Sequence, residues 1–242
     1  MANTALNIPA QEDEYVKECP DRTAFRRERA ILLDLAGLSG VPTLLSHDER
    51  TRILRLSDAG EDLIQLTQDK RHVFSVSQVR QVLRGILEGL QTMHAKGIYH
   101  YDVTPRNVCI QGDLSGSFKV TLVDFGLSFS RNKIPEAYRT QRVGTPSCLS
   151  PEHIAMKPEL GEAADVFCAG LTILQLIDGG GEVLSRSLGK IEPQVMEAHR
   201  NVPERMRNGE PIPSDLQVLL KIMLNPDPEY RRSRLCLALL GE

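Results

Sequence analysis

No cysteine pair in this chain has the spacing of a metal site or a redox motif. The five cysteines, Cys19, Cys109, Cys148, Cys168 and Cys236, are odd in number and scattered over 242 residues. That pattern argues against both a disulfide framework and structural zinc. Long apolar runs are also missing. The longest, residues 166–177, is too short to cross a bilayer and reads as a helix buried on most sides. The N-terminus has no basic stretch followed by an apolar core, so a cleaved secretory signal is not expected. Neither charge is in large excess: 29 Lys and Arg stand against 32 Asp and Glu, for a net charge of -3. Such a balance gives no reason to expect nucleic-acid or membrane partners. With 41% hydrophobic and 25% charged residues, the composition is that of an ordinary soluble protein, long enough for a substantial core. A cytoplasmic location is the expectation, and secretion without a cleaved signal is compatible with the same features.

Periodicity organises the rest. Residues 1–14 are polar and aperiodic and read as a tail, after which Tyr15-Val16-Lys17 can end a short strand. Pro20-Asp21 suits the first turn of a helix, with Phe25, Ile31, Leu32 and Leu35 on its apolar side and Gly37 or Gly40 at its end. Residues 43–45 and 52–56 are strand candidates. Ser75 with Gln78 has the pattern of a capping box ahead of a long helix marked by Val79, Val82, Leu83, Ile86, Leu87, Leu90 and Met93. Residues 98–110 read as a loop, 118–123 as a strand and 127–143 as a mobile polar loop. The last third reads as helices joined by turns at 179–181, Pro193, Pro203, Pro211 and Pro213. Arg26, Arg27 and Arg29 read as a solvated helix face, and Cys148 as a small filler.

The chemistry concentrates in His100-Tyr101-Asp102-Val103-Thr104-Pro105-Arg106-Asn107, followed by Val123-Asp124-Phe125-Gly126. Two acids and a carboxamide at this spacing supply oxygen donors for magnesium and an acceptor that orients a hydroxyl. Singly, an Asp or Asn in a turn merely bonds nearby backbone. Here three further motifs follow in order: Gly144-Thr145-Pro146-Ser147-Cys148-Leu149-Ser150-Pro151-Glu152, then Asp165-Val166-Phe167-Cys168-Ala169-Gly170, then Asp227-Pro228-Glu229-Tyr230-Arg231. Together the five resemble the eukaryotic-type protein kinase family, from about Lys17 to Arg231.

The resemblance implies an α+β, bilobal fold that binds ATP and Mg²⁺ and phosphorylates a protein. After the tail at 1–14, residues 15–58 would form a reduced, β-rich N-lobe and 59–242 a mainly helical C-lobe. The two would join near residues 56–62, with the nucleotide between them. Asp102 would be the catalytic acceptor, and Asn107 and Asp124 the magnesium ligands. Lys17 would pair with Glu28 to hold the nucleotide phosphates, Glu28 standing in the expected Glu28-Arg29-Ala30-Ile31-Leu32 context. His100 would pack against the Asp124-Phe125-Gly126 region. Asp62 would approach the ribose or start a helix. Thr145 would line the peptide groove, Asp165 would mark a helix start, and Glu152 with Arg231 would be a structural ion pair.

Three departures from the family pattern matter. The first glycine is Gly37 and sixteen residues precede Lys17, so the usual glycine-rich phosphate hairpin is not expected. Nucleotide binding should then be weaker or more exposed, with a regulatory partner or second copy covering the cleft. Tyr101 replaces the arginine that grips an activation-loop phosphate, which removes the main receptor for that switch, although Tyr138 and Thr140 offer loop hydroxyls. Thr104 stands where Ser/Thr kinases place a lysine, and Arg106 is expected to take over the cationic role, as a catalytic residue beside Asn107. The Gly144-Thr145-Pro146 run favours Ser/Thr substrates. A pseudokinase that binds or scaffolds is the alternative. A small-molecule phosphotransferase fits less well, because its relatives lack a segment like 144–152.

Overall fold

The computed structural model describes residues 14–68, 71–179 and 188–241. The tail read at 1–14 lies outside them except for Glu14, and so does most of the turn read at 179–181. The chain opens with strand β1 (Glu14–Glu18), helix α1 (Arg22–Asp34) and strands β2 (Leu44–Asp48) and β3 (Ile53–Ser57). The strands form one antiparallel sheet in the order β1-β3-β2. Asp21 caps α1 from outside, accepting the Thr23 and Ala24 N–H groups, so Pro20 and Asp21 precede the first turn instead of forming it. Phe25, Ile31, Leu32 and Leu35 are buried in one core with Leu54 and Leu56 of β3, while Ile53 is half-buried.

The connection to the larger body is short. Strand β4 (Glu61–Asp62) runs into helix α2 (Leu63–Thr67), which Asp62 caps in a reciprocal pair with Gln65. Helix α3 (Val76–Ala95) starts at the expected Ser75–Gln78 capping box, and its seven predicted stripe residues are fully buried. Across it lie β6 (Val108–Gly112) and β7 (Phe118–Leu122), in a sheet ordered β4-β6-β7. A Cβ at Gly85 would come 2.5 Å from the Cβ of Val120, so glycine lets α3 approach β7 this closely.

A two-stranded ribbon, β5 (Ile98–Tyr99) with β8 (Phe129–Ser130), brackets the motif loop. Residues 98–110 are thus strand at both ends. The segment 127–143, read as a mobile loop, contains β8 and the short helix α4 (Ala137–Thr140). Both readings missed pairings that are distant in sequence.

Helix α5 (Pro151–Ala155) precedes α6 (Gly161–Ile177), which is buried along nearly its whole length. With the turn before it, Pro158–Ile177 does reach the length and apolarity of a membrane-crossing helix, but 89% of its apolar window is buried within the protein. That is the property of a core helix. Helices α7 (Leu188–Glu197), α8 (Ser214–Met223) and α9 (Ser233–Leu240) complete the body. Pro193 falls inside α7 and not in a turn, which removes one ladder hydrogen bond.

Arg231 and Glu152 stitch the last third together. Arg231 Nη1 donates to Glu152 Oε2 at 3.0 Å, and Nη2 donates to Glu152 Oε1. The guanidinium also donates to the Ala163 and Pro226 carbonyls and lies 5.2 Å from the centre of the Phe167 ring. Both side chains are essentially inaccessible. Removing one leaves the other as an unpaired buried charge, so Arg231→Met should lower the unfolding free energy by about 3–5 kcal/mol. A urea melt showing a loss below about 1 kcal/mol would contradict this clamp.

Candidate active site

β1 turns Lys17 toward α1, where its ammonium meets two carboxylates. Lys17 Nζ is 2.8 Å from Glu28 Oε1 and 2.8 Å from Asp124 Oδ1. The eleven-residue step from Lys17 to Glu28 is spanned by the Asp21 cap and about two turns of α1. Glu28 is 1% exposed, and its Oε1 also accepts the Phe125 N–H at 3.2 Å. One ammonium therefore ties β1, α1 and the turn after β7 together.

The charges at this junction shift one another. Burial alone pushes the Lys17 ammonium down, but the Glu28 and Asp124 carboxylates outweigh it and hold its pKa above the ordinary value. Burial raises the Glu28 carboxyl despite the opposing pull of Lys17. Asp124 is also pushed up by burial, yet the Lys17 charge and the hydrogen bonds from Lys17 and Gly126 bring it below the ordinary carboxylate value. The Asp124 backbone is left-handed, with φ 64°, a conformation that costs a non-glycine residue energy and recurs at functional sites.

The motif loop is built on buried supports. Asp165 Oδ2 accepts the His100 N–H at 2.8 Å, and Oδ1 accepts the Tyr101 N–H at 2.6 Å. Asp165 lies in the second turn of α6, not at its start, because residues 161–164 extend the helix upstream. His100 is fully buried with its ring 5.3 Å from that of Phe125, and its Nε2 meets the Val123 carbonyl at 3.0 Å. Asn107 Nδ2 donates to Asp102 O at 2.8 Å and to Asp102 Oδ2 at 3.0 Å, while the Thr145 N–H donates to Asp102 Oδ1 at 3.1 Å.

Two cavities meet along Arg106, Asn107 and Asp124. The first, of about 340 Å³, is lined by Tyr15, Lys17 and Leu56 from the sheet, by the connecting residues 57–60 and by Asp62, Cys109 and Val123 from the larger body. A Cβ on Gly60, at φ 83°, would fall 2.1 Å from the Ile110 carbonyl oxygen, so only glycine lets the connection sit this close to β6. The second, wider cavity, of about 790 Å³, is lined by Asp102, Thr104, Thr145, Pro146 and Ser147. The Arg106 guanidinium has no ion-pair or hydrogen-bond partner among the described residues.

Of the sequence-predicted residues, Lys17, Glu28 and Asp124 form one cluster, and Asp102, Asn107 and Thr145 another. Asp62 is both a helix-start acid and part of the first cavity wall. Glu152, Asp165 and Arg231 support the site from the interior. Tyr15 and Cys109 were missed as wall residues; strand alternation from Lys17 places Tyr15 on the same face and was a usable signal. Arg27 does not belong to a solvated face, since it reaches the Gly126 carbonyl and the Tyr138 hydroxyl. Tyr138 is not a loop-exposed hydroxyl either: it is 4% exposed.

The donor set suits a particular kind of cation. Asn107 commits its Nδ2 to Asp102, which leaves the amide oxygen as an acceptor, and the Asp124 side chain is half-exposed. Two hard oxygens fall short of a magnesium shell, so they fit an ion whose other ligands are water and phosphate. Among the described residues no group of three or more His, Cys, Asp or Glu could hold a metal alone.

Residues 12–239 match the model of the protein kinase domain, and the chain belongs to that family. It is 29% identical over 188 residues to the serine/threonine-protein kinase ssp1 of Schizosaccharomyces pombe, covering 74% of this chain and 27% of that protein. It is 29% identical over 161 residues to the serine/threonine-protein kinase STE20 of Saccharomyces cerevisiae, covering 66% and 16%. To the phosphorylase b kinase gamma catalytic chain, liver/testis isoform, of Homo sapiens it is 27% identical over 240 residues, covering 96% and 55%. The chain thus spans between about a sixth and about half of the length of these relatives.

The shared ammonium has a pH signature. Asp124 titrates below its ordinary value in the folded protein, so its stabilising contribution is present above the unfolded pKa and is lost as pH falls through the folded one. Lys17→Met removes the cation that offsets both carboxylates. Its cost in unfolding free energy should be greatest near pH 7 and shrink as pH falls through the carboxylate range, where Glu28 and Asp124 become neutral. Urea melts across that range giving a constant cost would contradict the coupling.

Proposed function

We propose that this chain transfers the γ-phosphate of ATP to Ser or Thr hydroxyls of a protein, with residues 15–58 and 59–242 acting as its two lobes. The observation that carries the reading is the convergence of Lys17, Asn107 and Asp124 on the first cavity, with Asp102 facing the second across a shared edge. Lys17, oriented by Glu28, would hold the nucleotide phosphates. Asn107 and Asp124 would hold magnesium, which when bound supplies charge neutralisation at the phosphate oxygens. Asp102 has one oxygen on the Thr145 N–H and the other on Asn107, an arrangement that fixes it to receive and orient a substrate hydroxyl. Arg106, at the junction and without an ion-pair or hydrogen-bond partner among the described residues, would stabilise negative charge on the transferring group in place of the lysine absent at Thr104. Thr145 would line the peptide groove. The serine/threonine kinases among the relatives support the Ser/Thr assignment.

Two features support control by something other than loop phosphorylation. The position before Asp102 carries Tyr101, not a cation. The sheet side of the nucleotide cavity is open, with Tyr15 of β1, which lines it, at 54% exposure, where a regulatory partner or a second copy would cover it. The cytoplasm is the proposed setting.

Labelled ATP, magnesium and a cell lysate test the reading directly. Label should appear on protein Ser or Thr, and Asp124→Ala should reduce it by at least about 100-fold. Arg106→Ala in a folded protein should lower kcat by about 10- to 100-fold; unchanged turnover would remove Arg106 from the chemistry. Nucleotide binding without any transfer would leave a pseudokinase, and label on a small metabolite alone would point to a small-molecule phosphotransferase.

A further inference from the structure

A buried group of rings joins segments distant in sequence. Tyr101 and Tyr138 are stacked, with centroids 5.3 Å apart and planes 14° apart. Phe129 meets both rings edge-on, at 5.0 and 5.1 Å, and the His153 ring lies 4.0 Å from that of Tyr101. Tyr101 immediately precedes Asp102 and holds a left-handed backbone at φ 65°, with its N–H fixed on Asp165. Tyr138 lies on α4, in the stretch between Phe125 and Thr145. Its hydroxyl donates to the Leu127 carbonyl at 2.9 Å and accepts from Arg27 Nη1 at 3.3 Å. Arg27 donates to the Gly126 carbonyl as well, and it is the neighbour of Glu28 on α1.

We propose that Tyr138 is a positioning residue that holds segment 127–143 in place without a phosphate. Its ring fixes the segment to the loop carrying Asp102, and its hydroxyl ties the same segment to α1 and so to Glu28. The proposal rests on reading the site as a phosphoryl-transfer centre, and it supplies the device that makes phosphorylation of the segment unnecessary. An interlock of this kind differs physically from a phosphate gripped by arginine. Stacked and edge-on rings attract through dispersion and their quadrupoles, so the contact does not require two opposite charges and is little weakened by salt. Burial pushes both phenols above their ordinary pKa, so both stay neutral at physiological pH and the hydroxyl remains a donor. The groups facing Tyr138 are the Arg27 guanidinium, the Leu127 carbonyl, the Tyr101 and Phe129 rings and, through space, the Asp102 carboxylate, and the residue is 4% exposed.

Two variants separate ring from hydroxyl, and amide hydrogen exchange on phosphatase-treated protein reads the result. The wild type should show protection across 127–143 with no phosphate present. Tyr138→Leu should raise exchange across that segment by at least about tenfold while α3 stays protected, and should raise KM for the protein substrate more than it lowers kcat. Tyr138→Phe keeps the stack, so the segment should stay protected. Loss of the hydroxyl bridge should then raise exchange in α1 by about fivefold, the scale of one net hydrogen bond. If Tyr138→Leu fails to fold, judged by loss of α3 protection, Tyr138→Phe decides alone. Wild-type exchange in α1 of the Phe variant or in 127–143 of a folded Leu variant overturns the proposal, as does wild-type protection that depends on phosphate. Exchange does not require turnover. An inactive wild type with the expected exchange pattern would sink the catalytic reading and leave Tyr138's anchoring role standing.

Discussion

Lys17 carries the ammonium on which two carboxylates from distant segments converge. Without it, Glu28 would be an anion sealed inside the small sheet and helix, and Asp124 would face it across a short gap. Like charges brought together in a poorly solvated place repel strongly, so the position of α1 relative to the turn after β7 depends on that cation. Glu28 adds a second tie by accepting the Phe125 N–H. The arrangement sets the height of β1, the rotation of α1 and the left-handed turn at Asp124 together, and these three place the wall of the first cavity.

A second buried acid does the equivalent work on the other side. Asp165 accepts two successive backbone N–H groups from His100 and Tyr101 and a ring nitrogen of His94. A rigid core helix thereby holds the loop whose next residue is Asp102. The rings of Tyr101, Phe129 and Tyr138 pack on one another, so the loop and the segment after Phe125 are fastened there by packing, while the exposed ion pairs Arg139–Glu159 and Arg142–Glu192 hold the segment further along. On the reading proposed above, this packing takes the place of a cation before Asp102, where the chain carries Tyr101. In the kinase family to which the chain belongs, this is the region where control is commonly exerted.

The parts legible in the sequence were those fixed by short-range spacing. Asp102 and Asn107 stand on one loop, so their order alone brought them together, whereas Asp124 joins Lys17 and Glu28 in a second cluster that meets Asn107 at the cavity edge. α3 was legible because its stripe and its Ser75–Gln78 box repeat a local rule along twenty residues. What was missed depended on partners far away in sequence. Ile98-Tyr99 became strand because Phe129-Ser130 pairs with it, and Tyr138 became core because Tyr101 offers it a ring. Arg27 looked like one of three solvent-facing arginines until the Gly126 carbonyl and the Tyr138 hydroxyl came into reach. The membrane-length helix ending at Ile177 shows the opposite limit, since composition is the same for a buried helix and a spanning one.

The most direct test is a double-mutant cycle on Lys17→Met and Glu28→Gln, read as the Kd for magnesium and a non-hydrolysable ATP analogue by isothermal titration. If one ammonium serves both the carboxylates and the phosphates, each single change weakens binding and the double variant is little worse than Lys17→Met alone. The coupling should exceed about 1 kcal/mol. Losses that simply multiply would mean that Glu28 acts independently of Lys17, and would contradict the shared-cation arrangement.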